Sequence, residues 1–211
     1  MNPKDALIQK HFPTVMAPKY GDIQPCEKGK TRLVMAETGL FIETVQSWGR
    51  AVLQLWNSLR PLPYGDFKED TGILDSLMPD AWRIVCDEMV PRAAIYAERG
   101  LEWAGWIIAE DGSLSYLPVE FEASSAKASV KMPVLPAGVS LVVDVHSHGT
   151  IPSGFSLTDN EDDKGGVKIC IVLGSYKKEG DIPEFEASMR LAIEGFFFDF
   201  SYGKDGRCYF D

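Results

Sequence analysis

The chain has 211 residues, 45% of them hydrophobic and 11% aromatic, and a formal net charge of −10. That is enough apolar material for a sizeable core, in one domain or one domain with an elaboration. The acidic balance repels phosphate backbones and argues against a nucleic-acid partner. Cys26, Cys86, Cys170 and Cys208 form no C-x-x-C pair and read as free thiols of a reducing compartment. The opening MNPKDALIQK is polar, and no apolar run approaches the ~18 residues of a membrane span. A cytoplasmic chain without a membrane contact is therefore expected.

The first thirty residues carry Pro3, Pro13, Pro18 and Pro25, which predicts loop-rich chain after one short helix over Pro3 to Lys10. His11 falls here and reads as a solvated side chain. Thr31 to Ala36 and Leu40 to Val45 read as strands joined by a turn at Glu37-Thr38-Gly39. Trp48 to Trp56 reads as a third strand or a short helix, and 57–72 as a connector. From Pro79 the period changes: Trp82, Val85, Cys86, Met89 and Val90 recur at helical spacing. Pro79 suits the first turn of that helix, and Pro91 ends or kinks it. Strands follow at Trp103 to Ile108, Leu114 to Phe121, Ala128 to Val134 and Val139 to Val145, the first two joined at Asp111-Gly112. A short helix after Asp159 runs to about Lys164 and stops at Gly165-Gly166. Val167 to Leu173 reads as a buried strand and Tyr176 to Pro183 as a polar turn. Phe185 to Ile193 and Phe196 to Tyr202 complete the sheet. This order predicts an α+β fold, with a curved mixed sheet flanked by helices. Residues 1–76 are expected to form a β-rich N-terminal elaboration and 77–211 the main domain.

The chemistry concentrates in VVDVHSHGTIPSGFSLTDNEDD, residues 142–163. Positions i and i+2 of a strand share a face, so His146 and His148 project together within reach of one ion. Neutral imidazole is a good zinc ligand. Gly149 to Phe155 can return the chain, bringing Asp159 in on the first turn of the next helix. Three ligands of mixed nitrogen and oxygen type leave a fourth zinc position for water, as in catalytic sites. Ser156-Leu157-Thr158-Asp159 also reads as a plain capping box. The two readings are compatible, because a cap fixes the backbone that aims Asp159. A lone His-x-His is ordinary structure more often than a ligand pair; it is the conjunction with Ser-x-x-Asp that points to metal. Asp144 shares the face of the histidines, either supporting them from behind or as a strand-end charge.

His146-x-His148, seven residues, Ser156, two residues, Asp159 resembles the zinc signature of the JAMM (JAB1/MPN/Mov34, MPN+) metallopeptidases. That resemblance implies cleavage of peptide or isopeptide bonds at the C-termini of ubiquitin-like proteins. It also implies an upstream glutamate as general base. Glu102, three residues before Gly105 in Leu101-Glu102-Trp103-Ala104-Gly105, fits that place; Glu98 is the runner-up, ahead of Glu88 and Glu110. Ser156 would donate a hydrogen bond to the developing oxyanion or to the glutamate. The family usually has proline after the second histidine, where this chain has Gly149. EWAG at 102–105, VVDVHSHG at 142–149, FSLTDNEDD at 155–163 and VKICIVLG at 167–174 are similar to the members encoded in ParB-related, ThiF-related cassettes (PRTRC) of bacterial plasmids. Those cassettes imply a small ubiquitin-like β-grasp substrate and a ThiF-like adenylating neighbour. The competing reading is a non-catalytic JAMM-fold scaffold in such a complex. An amidohydrolase barrel also uses His-x-His, but early in ~250 residues; here the pair falls too late for the remaining strands. A structural zinc site would more usually have four ligands, often cysteines.

Overall fold

The α+β expectation holds in a computed structural model of the chain, which describes residues 2–125 and 128–211. The chain divides into two compact units, Met1–Ser76 and Leu77–Asp211.

The first unit opens with α1 (Pro3–His11), whose N-terminus is capped by Asn2 accepting from the Lys4 amide at 2.9 Å. A four-stranded sheet follows: β1 (Thr14–Met16), β2 (Lys30–Ala36), β3 (Gly39–Gln46) and β4 (Gly49–Asn57), in sequential order. β1 pairs parallel with β2, a strand the proline-rich start does not advertise. The stretch from Trp48 to Trp56 is strand, not helix, because it pairs along its length with β3. Ala17, Val34, Ala36, Phe41 and Val52 form the core, with Phe67 packed edge-on to Phe41. Beside them Glu43 is buried between two arginines, with Arg32 Nε and Arg50 Nε each 2.6 Å from one of its oxygens.

The long helix starts earlier than its prolines suggest. α2 (Gly72–Ile84) has Pro79 in its interior. Leu74, Met78, Ala81 and Val85 are completely buried at helical spacing, so the apolar stripe outweighs the backbone bond that Pro79 removes. Nor does Pro91 end the helix. A π-turn, Val85–Met89, with the Val90 amide bonded to the carbonyl five residues back, widens the coil ahead of it. Pro91 then becomes the second residue of α3 (Val90–Ala97), where an absent N–H costs little. α3 buries Ala93, Ala94 and Ala97 and packs on the main sheet.

That sheet has seven strands: β5 (Trp103–Glu110), β6 (Ser113–Leu117), β9 (Ser140–Ser147), β10 (Val167–Glu179), β11 (Ile182–Ile193), β12 (Phe196–Tyr202) and β13 (Cys208–Phe210). Their order is β13-β12-β11-β10-β9-β5-β6, with only β9 and β10 parallel. Asp111 and Gly112, both at positive φ, make the tight turn between β5 and β6. The strand expected over Leu114 to Phe121 is broken at Pro118, which has no amide for a ladder. Beyond it β7 (Phe121–Ala123) leaves the sheet to pair with β8 (Ala128–Val130), which stops short of Pro133. The polar turn expected over Tyr176 to Pro183 is instead a hairpin arm. β10 runs on to Glu179 and β11 starts at Ile182, leaving only Gly180 and Asp181 to turn.

The segment after β9 is stitched to β10. The His148 amide bonds the Leu173 carbonyl at 2.8 Å, Ser175 N bonds Ile151 O at 2.7 Å, and Tyr176 N bonds Gly149 O at 2.9 Å. Gly174 permits this approach: a Cβ there would lie 2.4 Å from Ser153 N and 2.6 Å from Ile151 O. Gly174→Ala is therefore expected to destabilise the protein by about 1–3 kcal/mol through overpacking against backbone. Urea unfolding measures this, and an unchanged midpoint would refute the close approach.

Candidate metal centre

His146 lies near the end of β9, and His148 follows one residue past it on the same face. Asp159 is the third residue of α4 (Leu157–Asp162), which lies in the crossover from β9 to β10. Its position is set locally by Ser156. The Asp159 amide donates to Ser156 Oγ at 3.2 Å, and the Ser156 amide donates to Asp159 Oδ2 at 2.6 Å. This closed capping box fixes the carboxylate's direction.

The three side chains converge. His146 Nε2 lies 3.2 Å from His148 Nε2 and 3.1 Å from Asp159 Oδ1, and His148 Nε2 lies 3.6 Å from Asp159 Oδ2. Metal–ligand bonds of about 2.0–2.1 Å at tetrahedral angles separate ligand atoms by roughly 3.3 Å. The group could therefore hold one metal ion with little rearrangement. His148 Nδ1 is 3.2 Å from the Pro152 carbonyl, a contact that keeps a proton on Nδ1, so that Nε2 offers a lone pair to a metal once it gives up the proton it shares with Asp159. Burial works against the Asp159 anion, but hydrogen bonds from both histidines hold its carboxyl well below the usual range. The hydrogen bond to Asp159 in turn raises the pKa of His148. Protons and a metal ion compete for the same lone pairs.

These residues line a cleft of about 440 Å³. The lining includes Ser156, Thr158, Asp162 and Asp163 of the α4 segment, and Ala128 to Val130 with Met132. Glu102 lines the cleft, is buried, and immediately precedes β5. β5 and β9 pair Trp103 with Ser147 and Ala104 with His146, so one further step sets Glu102 opposite His148. Burial raises the Glu102 pKa, offset in part by the two histidines. Glu98 stands elsewhere. It is exposed at the end of α3, with Lys178 Nζ at 2.6 Å and Tyr176 Oη at 3.2 Å, and the Lys178 hydrogen bond lowers its pKa.

Asp144 does neither of the two things the sequence suggests. It accepts from Lys168 Nζ at 2.6 Å, and Lys168 also lies 2.7 Å from Asp163 Oδ1. Arg190 Nη2 donates to Asp163 Oδ2 at 2.6 Å, which completes a largely buried row of alternating charge, of which Asp144, Lys168 and Asp163 line the cleft. Burial alone would lower the Lys168 pKa, but Asp144 and then Asp163 drive it above its ordinary value. Sequence reasoning misses Lys168 and Arg190. Each is a cation set within an apolar run, VKICIVL for Lys168 and MRLAI for Arg190, and that interruption is the signal the sequence offers.

No disulfide joins any of the four cysteines, Cys26, Cys86, Cys170 and Cys208. Among the described residues no helix is long and apolar enough to cross a membrane. No curated protein matches the chain. Residues 2–74 match a domain of unknown function, DUF2016. Residues 85–191, just over half of the chain, match the prokaryotic homologues of the JAB domain and include the whole convergent group. The chain thus belongs to the prokaryotic JAB family.

Proposed function

We propose that the protein is a zinc-dependent peptidase or isopeptidase acting at the C-terminal tail of a ubiquitin-like protein. The observation that carries this reading is the convergence of His146, His148 and Asp159 in a cleft that Glu102 also lines. A scaffold that had lost its chemistry would have no need of this donor set or of a buried glutamate beside it. His146 and His148 would hold zinc through Nε2, and Asp159 through its carboxylate. The donor set is that of catalytic rather than structural zinc. Bound zinc would supply Lewis acidity, lowering the pKa of water and polarising the scissile carbonyl.

The chain's own residues supply the rest. Glu102, made more basic by burial, takes the proton from the attacking water and passes it to the leaving amine. Ser156 Oγ accepts from the Asp159 amide, and its hydroxyl hydrogen remains available for the oxyanion that develops on the carbonyl. An extended substrate tail would enter this cleft, whose lining includes Ala128 to Val130 and the α4 segment. The partners this reading requires are a small β-grasp protein as substrate and a ThiF-like adenylating enzyme to activate or conjugate it. A plasmid cassette encoding both is the proposed setting.

Purified protein should bind about one zinc, measured by metal analysis after dialysis. His146→Ala, His148→Ala and Asp159→Ala should each reduce that to near background, because two remaining ligands are too few for tight binding. Wild-type zinc content in all three would remove the metal assignment. A chelator should abolish cleavage.

Cleavage of a ubiquitin-like fusion encoded beside the gene tests the chemistry. Glu102→Gln should lose about 10²–10⁴-fold in rate while keeping its zinc, and Glu98→Gln should stay near wild type. Equal rates in wild type and Glu102→Gln would move the base elsewhere. An inactive wild type with zinc bound would favour the scaffold.

A further inference from the structure

α4 has six residues, less than two full turns. Helices that short do not hold themselves in water, so tertiary contacts must fix this one. Its capping box orients Asp159 relative to α4, but says nothing about where α4 lies relative to the two histidines. The contacts that decide this come from β11, two strands away from β9.

Arg190 of β11 is 3% exposed. Its Nη1 donates to Asn160 Oδ1 at 2.5 Å and its Nη2 to Asp163 Oδ2 at 2.6 Å. Asn160 directly follows the ligand Asp159, and Asp163 caps the end of α4. The guanidinium is also clasped between two rings, its carbon 3.8 Å from the Phe155 centroid and 4.1 Å from the Phe197 centroid. Phe155 immediately precedes the cap residue Ser156. One planar group therefore grips the segment before, within and after α4. Lys168 completes the attachment by joining Asp163 to Asp144, two residues before His146. We infer that Arg190 is a positioning residue: acting through Asn160, Asp163 and Phe155, it sets Asp159 at the distance from His146 and His148 that metal binding requires. This rests on the reading of the three residues as a metal site.

The test is zinc affinity, measured by competition with a chromophoric chelator, with circular dichroism and thermal unfolding of the metal-free protein alongside. Arg190→Gln should weaken zinc binding by about 10–100-fold, the usual effect of losing a group that orients a ligand. Arg190→Lys should recover only part of this, since an ammonium cannot fork between two acceptors and stack between two rings. Arg32→Gln is the control, removing an equally buried, ion-paired arginine from the first unit. It should lose stability and keep wild-type affinity. Unchanged affinity in Arg190→Gln would overturn the inference, and so would equal weakening in Arg190→Gln and Arg32→Gln. Should Arg190→Gln fail to fold, Asn160→Ala decides: several-fold weaker binding supports the role, and wild-type binding overturns it. A wild-type protein that binds no zinc removes the metal site itself, and this inference with it. Zinc bound equally by wild type and Arg190→Gln removes only the inference.

Discussion

The parallel pairing of β9 with β10 is the constraint from which the site follows. Every other pair in the main sheet is antiparallel, and all but β5–β9 join strands consecutive in the chain through a hairpin or a short loop. A parallel pair cannot be joined so, because the chain must travel back to the end at which the first strand began. Having left β9 at Ser147, it re-enters at Val167, and the intervening segment has to recross the sheet. Asp159 and Ser156 ride on that crossing. The histidines mark the point of departure, and the acid meets them on the way back. The stitching of Gly149 and Ile151 to β10 keeps the departure tight, so the return passes over the histidines rather than out into solvent.

The crossing is secured mostly with charge. The row Asp144, Lys168, Asp163, Arg190 alternates in sign and is largely removed from water. Burying such groups is expensive, and apolar residues of similar shape would often give a more stable protein. What the row provides is direction. Apolar packing tolerates sliding, whereas a two-pronged guanidinium bond accepts one position of its partner. A carboxylate that is to meet two histidines from a six-residue helix needs that kind of constraint. The first unit repeats the device in the trio Arg32, Glu43 and Arg50, which pins β2, β3 and β4 together.

What could be read from the sequence was what is encoded locally. The strand period puts His146 and His148 on one face, and the cap chemistry of Ser156 and Asp159 requires only four consecutive residues. Both are present in the structure as local geometry. The α+β class was legible because helical and strand periods alternate in long runs. Misreadings came where a local rule met a stronger distant one. Pro79 reads as a helix start and Pro91 as a stop, but the buried stripe from Leu74 to Val85 carries the helix through the first and a π-turn absorbs the second. Tyr176 to Pro183 is polar enough for a turn, yet the ladder between β10 and β11 extends through it. Lys168 and Arg190 were missed because Asp144 lies 24 residues from Lys168, and Asp163 and Asn160 lie 27 and 30 residues from Arg190, farther than any spacing rule reaches; Asp163, near Lys168 in sequence, meets it only because the α4 segment folds back onto β10.

The two glutamates of the helix-to-strand connection show how tertiary structure separates residues that sequence leaves side by side. Glu98 and Glu102 are four apart and either could serve as a base on local grounds. The chain turns between them: the Leu101 amide bonds back to the Tyr96 carbonyl, and the Glu102 amide bonds the Ser124 carbonyl. Glu98 remains on the helix side, in water, with Lys178 and Tyr176 stabilising its anion. Those partners lower its proton affinity and so work against a role as base. Glu102 passes to the sheet side, where burial raises its proton affinity against the pull of the two histidines. A proton carrier must pick up and release within one turnover, which asks for a pKa drawn toward neutrality and a place within the cleft. Of the two, only Glu102 has both properties, and it owes them to the pairing of β5 with β9, the strand that carries the histidines.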